Sequence, residues 1–256
     1  MPAFFAVIPA RHASTRLPGK PLADINGKAM VVRVAERAAA SGAAGVWVAT
    51  DHEGVAAAVL AAGFAAVMTS PDCASGSDRL AEVAQRLGWP DDTVVVNVQG
   101  DEPLIDPALI QATAMALFAH PDAAMSTVCH PIHDAAEAFN PNVVKVVTDK
   151  DGYALYFSRA PIPAVEPPPF TPGLWLKQVC VISFRRHWLQ RFAALPQGPL
   201  ERMESIDMLR LLEHGIAVRV VSTDVPTHAV DTPADLALVD SLMAARRLSR
   251  DDDAAR

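Results

Sequence analysis

Cysteine is scarce: only Cys73, Cys129 and Cys180 occur in 256 residues. They are far apart and odd in number. No spacing suits a disulfide framework or a zinc site, so a reducing compartment, the cytoplasm, is expected. Long apolar runs are missing as well. No stretch reaches the roughly eighteen apolar residues that a membrane-spanning helix needs. The first residues, MPAFFAVIPA, lack a basic n-region, and their apolar run is too short for a secretory leader. Cations are outnumbered, 22 Lys and Arg against 29 Asp and Glu, for a net charge of −7. That balance argues against nucleic acid as a partner. No Ser/His/Asp or Cys/His set for covalent catalysis is evident, and the first half carries no internal repeat. What is present is a globular chain, 51% hydrophobic. It is long enough for one domain, or one domain with a sub-domain.

The few cations are concentrated. Phe4 to Ile8 is a short apolar run that reads as a buried strand. Within the next dozen residues come Arg11, Ser14, Thr15, Arg16, Gly19 and Lys20, with Leu17 nearly the only apolar side chain. Pro9, Pro18 and Pro21 keep this stretch from becoming a helix. A cationic, hydroxyl-bearing loop at the end of a strand suits a polyphosphate. It is not a P-loop. That pattern needs Gly at position 14 and Ser or Thr after Gly19-Lys20, where this chain has Ser14 and Pro21.

Taken in order, the chain alternates. The segment 24–28 reads as a turn, 29–41 as a helix ended by Gly42, Val46 to Ala49 as a strand, the next stretch to Ala62 as a helix, and Ala65 to Met68 as a strand. This β-α-β-α-β order predicts a parallel sheet. Ser75 or Ser77 is placed to cap a helix starting near Asp78. Val94 to Val98 is the most strand-like run and releases Gln99-Gly100-Asp101-Glu102 at its end. Two acids there make a natural Mg²⁺ site, because Mg²⁺ takes one or two carboxylates with phosphate oxygens and water. A helix from Asp106-Pro107 to Ala119 and a strand from Met125 to Cys129 follow. Residues 143–148 and 153–157 then read as a hairpin around Asp149 to Gly152. Six prolines fall between Pro161 and Pro172, the mark of an irregular loop. Residues 199–215 read as one amphipathic helix ended by Gly215, and Ala217 to Val221 as a strand. A last helix starts at Thr232-Pro233 with Asp231 or Thr232 as cap, and RLSRDDDAAR reads as a frayed tail.

The segment PARHASTRLPGKPL resembles the signature of the CMP-Kdo synthetases, the 3-deoxy-manno-octulosonate cytidylyltransferases. QGDEP, NPNVVKVV, GYALYFSRAPIP and the VDT of HAVDTPADLALV extend the resemblance over most of the chain. It implies a single α/β nucleotidyltransferase domain over 1–256: a doubly wound, mostly parallel sheet with a small antiparallel sub-domain inserted at about 130–200. It implies CTP along Pro9, Ala10, Arg11, Ser14, Thr15, Arg16 and Lys20, with Arg11 and Lys20 on the phosphates. Ser75, Gly76 and Arg79 would contact the cytosine and ribose, and Gly100 would let the nucleotide approach the backbone. Asp101 and Asp231 would hold Mg²⁺. Gln99, Arg159, Gln178, Glu204 and Asp207 would face the sugar, with Arg159 on its carboxylate. The partners implied are CTP, an acidic sugar and a second copy of the chain, with the inserted region carrying dimer contacts.

The chain departs from that pattern on the sugar side. Gln178 stands where a histidine is usual, Ile182 and Phe184 where tyrosines are, and Asp207-Met208 where Glu-Gln is. The reaction implied is attack of the anomeric hydroxyl of a 2-keto-3-deoxy sugar acid on the α-phosphorus of CTP, with loss of pyrophosphate. The departures leave two alternatives open. One is a different acidic acceptor, such as an amino-octulosonate or a nonulosonate. The other is a nucleotide-binding relative without catalysis.

Overall fold

The protein is seen in a computed structural model that describes residues 2–12, 17–73, 75–164 and 170–254, with side chains up to residue 245. The strands are β1 (Phe4–Ala10), β2 (Asp24–Ile25), β3 (Lys28–Ala29), β4 (Gly45–Thr50), β5 (Ala65–Met68), β6 (Val94–Val98), β7 (Met125–Pro131), β8 (Lys145–Thr148), β9 (Ala154–Ser158), β10 (Leu176–Arg185) and β11 (Val218–Ser222). The helices are α1 (Met30–Ala39), α2 (Glu53–Ala61), α3 (Gly76–Arg86), α4 (Pro107–Ala119), α5 (Ala135–Ala138), α6 (Arg186–Ala194), α7 (Pro199–Glu204), α8 (Leu209–Glu213) and α9 (Pro233–Ala254). The chain gathers into two compact units. Unit I holds Phe5–Leu87, Asn97–Ile110 and Thr227–Arg256; unit II holds Met1–Phe4, Gly88–Val96 and Gln111–Pro226.

Unit I is the parallel half. β1 pairs with β4 from Phe5↔Gly45 to Ala10↔Thr50, and β4 pairs with β5, both in parallel register. The C-terminal end of β6 lies on the other side of β1. Both faces of such a sheet are covered, so its strands are continuous apolar runs rather than alternating ones. α1 contributes Met30, Val31, Val34, Ala35 and Ala38 to the core, and α2 contributes Val55 and Val59. Asn26 and Gly27, both at positive φ, make the tight turn between β2 and β3. A separate apolar cluster joins Ile25, Met30, Leu104, Val230 and Val239, with Leu17 and Leu236 packed on it. Leu17, Leu104 and Val230 stand beside Lys20, Asp101 and Asp231 in the chain, so this cluster anchors all three segments from below.

Unit II is the antiparallel half. β7 lies between β11, which is parallel to it, and β10, which is antiparallel. β8 pairs with both β10 and β9. The Asp149 carboxylate accepts from the backbone N–H groups of Asp151 and Tyr153 and shapes the β8–β9 turn. The parallel set in unit I is what the alternation predicts, and with the antiparallel pairs in unit II it fits the doubly wound α/β class that the resemblance implies.

Two expectations change, and one stretch that pattern leaves unassigned becomes a strand. The single helix over 199–215 is broken: α7 ends where Ser205 takes a left-handed conformation at φ 53°, and α8 starts only at Leu209. Helix ends leave carbonyls without partners. Here Arg159 donates through Nε to Glu204 O at 2.6 Å and through Nη2 to Ser205 O at 3.1 Å. The WLKQVCVISFR stretch forms the longest strand, β10, whose register with β7 shifts between Val179 and Ile182. The segment read as a tail is helical as far as it is described, with α9 running on to Ala254.

Candidate active site

Three loops of unit I converge at the C-terminal end of β1. Ala10 closes that strand and Arg11 follows it, donating to the Cys73 carbonyl. Gly76 opens α3 beside Pro9: a Cβ there would lie 3.3 Å from Pro9 Cγ and 3.5 Å from Asn97 Nδ2. Gly100 follows β6, and a Cβ there would meet Pro9 O at 2.8 Å. So Gly100 is required by the approach of one backbone to another. Ser75 is the cap of α3, in a reciprocal box with Asp78. The Cys73 thiol beside it is pushed up to about 11, by burial and by the Glu82 carboxylate at 3.3 Å.

Lys20 is the centre of the site. Gly19, left-handed at φ 68°, and buried Pro21 fix a single 3₁₀ turn over Lys20–Leu22. From there the Lys20 ammonium donates to Asp101 Oδ2 at 2.8 Å and to Asp231 Oδ1 at 3.1 Å. The two aspartate segments are joined directly, with Val230 N–H donating to Asp101 O at 2.8 Å. Thr232, not Asp231, caps α9. Its hydroxyl accepts from Asp235 N at 3.2 Å, and Asp235 Oδ2 accepts from the backbone of Asp231 and Thr232. Burial pushes the Asp235 carboxyl up, but these bonds outweigh it and its pKa is lowered. With the cap supplied by Thr232, the Asp231 carboxylate is turned to Lys20. Two carboxylates within 3.1 Å of one ammonium can hold one cation. Among the described residues no group of three or more His, Cys, Asp or Glu gathers. A divalent ion here would therefore rely on these two acids plus ligand oxygens and water, the Mg²⁺ habit.

Other expected residues are placed differently. Arg79 is fully buried, and donates to Asp51 Oδ2 and Thr69 Oγ1, both at 2.5 Å. A buried guanidinium must be paired. Arg79 therefore braces the ends of β4 and β5 and offers no surface to a ligand, contrary to the role the resemblance implies. Glu102 is buried beside Asp101. Gln99 and Ala10 lie in unit I with the loops above. Ser14, Thr15 and Arg16 lie outside the described residues.

Four of the sugar-side candidates, Arg159, Gln178, Glu204 and Asp207, belong to unit II, whereas Gln99 lies in unit I. Arg159 Nε, Nη1 and Nη2 each donate to a carbonyl, of Glu204, Pro141 and Ser205. A guanidinium has five N–H groups, so two remain for a carboxylate. Glu204 accepts from Ser158 Oγ at 2.6 Å and Arg159 N at 2.9 Å. Asp207 is half-buried. Its pKa is raised by burial and by the Glu201 carboxylate, with Arg210 and backbone N–H groups pulling the other way. Gln178 is buried, and its amide donates to Thr127 Oγ1 at 2.9 Å and Val179 O at 2.6 Å. Thr127 in turn donates toward the Val179 and Val181 carbonyls. Gln178 is thus tied to the irregular part of β10, and Ile182 and Phe184 are buried core residues.

Two contributors escape the sequence reading. Lys145 is fully buried, with its ammonium donating to the carbonyls of Asn140 (3.0 Å), Val143 (2.7 Å) and Arg159 (2.6 Å). Burial lowers its pKa, opposed by the Glu204 carboxylate. It ties the turn before β8 to the backbone of Arg159. The lysine in NPNVVKVV was visible, but an apolar neighbourhood is the only hint that it points inward. In unit I, the rings of His12 and His52 stack with centroids 3.8 Å apart and planes 9° apart, beside the Lys20 loop. Forty residues separate them, and no spacing announces the pair.

The profile of the family described as Cytidylyltransferase matches residues 5–220. The solved structure of a CMP:2-keto-3-deoxy-manno-octonic acid synthetase complexed with CTP is similar at a TM-score of 0.89 and 43% identity, covering 96% of this chain and 100% of that one. A cytidylyltransferase from Leptospira borgpetersenii serovar Hardjo-bovis (strain JB197) shares the fold at a TM-score of 0.59 and 15% identity, over 95% of this chain and 87% of that one. With the Lys20 loop, the paired aspartates and the parallel frame in place, the chain belongs to the cytidylyltransferase family, which includes the CMP-Kdo synthetases, and is a nucleotidyltransferase.

Proposed function

We propose that this enzyme transfers CMP from CTP to 3-deoxy-manno-octulosonate (Kdo), the activation step that precedes incorporation of this sugar into lipopolysaccharide. The observation that carries it is 43% identity over the full length of a synthetase for that sugar solved with CTP. The anomeric oxygen forms a bond to the α-phosphorus, the bond from that phosphorus to the bridging oxygen breaks, and pyrophosphate leaves. The hydroxyl proton passes to solvent. Such a displacement needs in-line placement and charge neutralisation, with no covalent enzyme intermediate. Arg11 and Lys20 supply cations to the triphosphate, and Asp101 and Asp231 would hold Mg²⁺. When bound, Mg²⁺ neutralises phosphate charge and polarises the phosphoryl oxygens. On unit II, Arg159 has donors left for the sugar carboxylate, and Asp207 stands near by in sequence to the Glu204 that supports it. The departures at Ile182 and Phe184 are absorbed in the core. That favours Kdo over a different acid.

Three thiols with no disulfide among the described residues, and a nucleotide substrate, fit the cytoplasm. No helix among the described residues is long and apolar enough to cross a membrane. A homodimer is supported by the resemblance and by large apolar side chains that unit II leaves exposed, Met203, Leu155 and Phe139 among them.

The test is pyrophosphate release from CTP with Kdo, an amino-octulosonate and a nonulosonate side by side. Kdo is expected to give the highest kcat/KM; a better acceptor, or no release with any of them, overturns the reading. Asp101→Asn and Asp231→Asn should each lower kcat by roughly a hundredfold or more, about 2.7 kcal/mol of transition-state stabilisation. Either variant turning over like the parent removes the metal assignment.

A further inference from the structure

The Lys20 ammonium occupies the point that a divalent cation between Asp101 and Asp231 would need. It lies 2.8 Å from one carboxylate and 3.1 Å from the other. The side chain is largely buried, 13% exposed, while the two carboxylates are 30% and 39% exposed. The carboxylates are held by their backbones and cannot easily separate. Asp101 O accepts from Val230 N–H, and Asp231 N–H donates to Asp235. The Lys20 backbone is held as well, by bonds from Lys20 N to Leu17 O and from Ala23 N to Lys20 O. What remains adjustable is the four-carbon stem of Lys20.

The geometry points to Lys20 as a built-in stand-in for the metal, keeping the two aspartates paired and shutting out free divalent ions until the nucleotide arrives. This rests on the reading of Asp101 and Asp231 as the metal pair. Like charges this close repel strongly, so an ammonium and a divalent ion do not share the same focus. The triphosphate offers Lys20 another anionic partner, and the ammonium moves to it as the metal enters with the nucleotide. The apparent metal affinity of the nucleotide-free enzyme is then reduced by the small fraction of time that Lys20 spends away from the acids. One lysine thus has two successive partners, and binding acquires an order: nucleotide and metal together, never metal alone.

The experiment measures Mn²⁺ binding to the nucleotide-free protein by electron paramagnetic resonance, in the parent, Lys20→Met and Lys20→Gln. Both variants keep an unbranched side chain and lose the charge. Each should bind Mn²⁺ at least about tenfold more tightly than the parent, and at the same time bind CTP more weakly. A merely structural lysine would weaken both. Using two variants guards against one that does not fold. The same measurement is made with CTP present in Asp101→Asn and Asp231→Asn. If Mn²⁺ binding with CTP depends on both aspartates but the Lys20 variants bind Mn²⁺ alone no better than the parent, the stand-in role is overturned and the metal pair survives. If Mn²⁺ binding with CTP ignores both aspartates, the metal pair itself falls and the stand-in role with it.

Discussion

Asp207 is a carboxyl group set where the folded chain opposes its charge. Burial and the neighbouring Glu201, itself paired with Arg210, raise its pKa above the ordinary value. A raised carboxyl pKa means that the folded state holds the proton more tightly than the unfolded one. Stability is therefore undiminished below the unfolded value, falls as pH rises through the interval up to the folded value, and carries the full penalty above it. Asp207→Asn removes that penalty. Its Tm should exceed the parent's at pH of about 8, and the gain should shrink as the pH nears the ordinary aspartate value of about 3.9. A thermal melt at several pH values checks this; a gain that does not change with pH overturns the electrostatic account. A residue kept at such a cost suits a site where a ligand makes use of it. At this scale the sequence showed which side chains carry charge but not whom they meet. Arg79 took its ligand role from the resemblance, and its partner Asp51, 28 residues away, was not visible. Lys145 gave no sign of the three carbonyls it would satisfy.

Elements built from local pattern were legible. The strands β1, β4, β5 and β6 are apolar runs that end in loop chemistry, whereas the short β2 and β3 read as a turn, and the order β-α-β-α-β admits few topologies. The region 199–215 was misread because apolar periodicity sees one face of a helix and says nothing of what its carbonyls do. The break is imposed from β9, where Ser158 and Arg159 take the Glu204 carboxylate and Arg159 takes the carbonyls after it. Ser205 then sits at φ 53°, which costs a residue with a side chain about 1 kcal/mol relative to glycine. Ser205→Gly should therefore stabilise the fold by up to about 1 kcal/mol, read in a urea titration. Destabilisation instead would show that the Ser205 side chain has a role beyond its backbone angle. The strand β10 was unreadable for a related reason. Gln178 and Thr127 hold an irregular register there, and that bond joins residues 51 positions apart.

Across the whole molecule the charge is −7, yet the triphosphate is assigned to a cationic loop. Attraction of that kind is local and screened by salt. The Debye length shrinks from about 30 Å at 0.01 M to about 3 Å at 1 M ionic strength. KM for CTP should rise several-fold over that range while kcat changes less, since screening weakens capture of the nucleotide more than chemistry inside the site. Steady-state kinetics at fixed free Mg²⁺ checks this, and a KM indifferent to salt overturns the charged-loop account. The same loop has a consequence for synthesis. Lys20 meets Asp101 across 81 positions and Asp231 across 211. A nascent chain can complete β1, its loop and β6 on the ribosome and still lack the Asp231 carboxylate, which follows Asp101 by 130 positions. If Asp101 and Asp231 hold the metal as proposed, turnover of CTP waits for Asp231, and cleavage just ahead of residue 227 would remove that carboxylate together with the Val230, Leu236 and Val239 side chains of the cluster on which Leu17 packs.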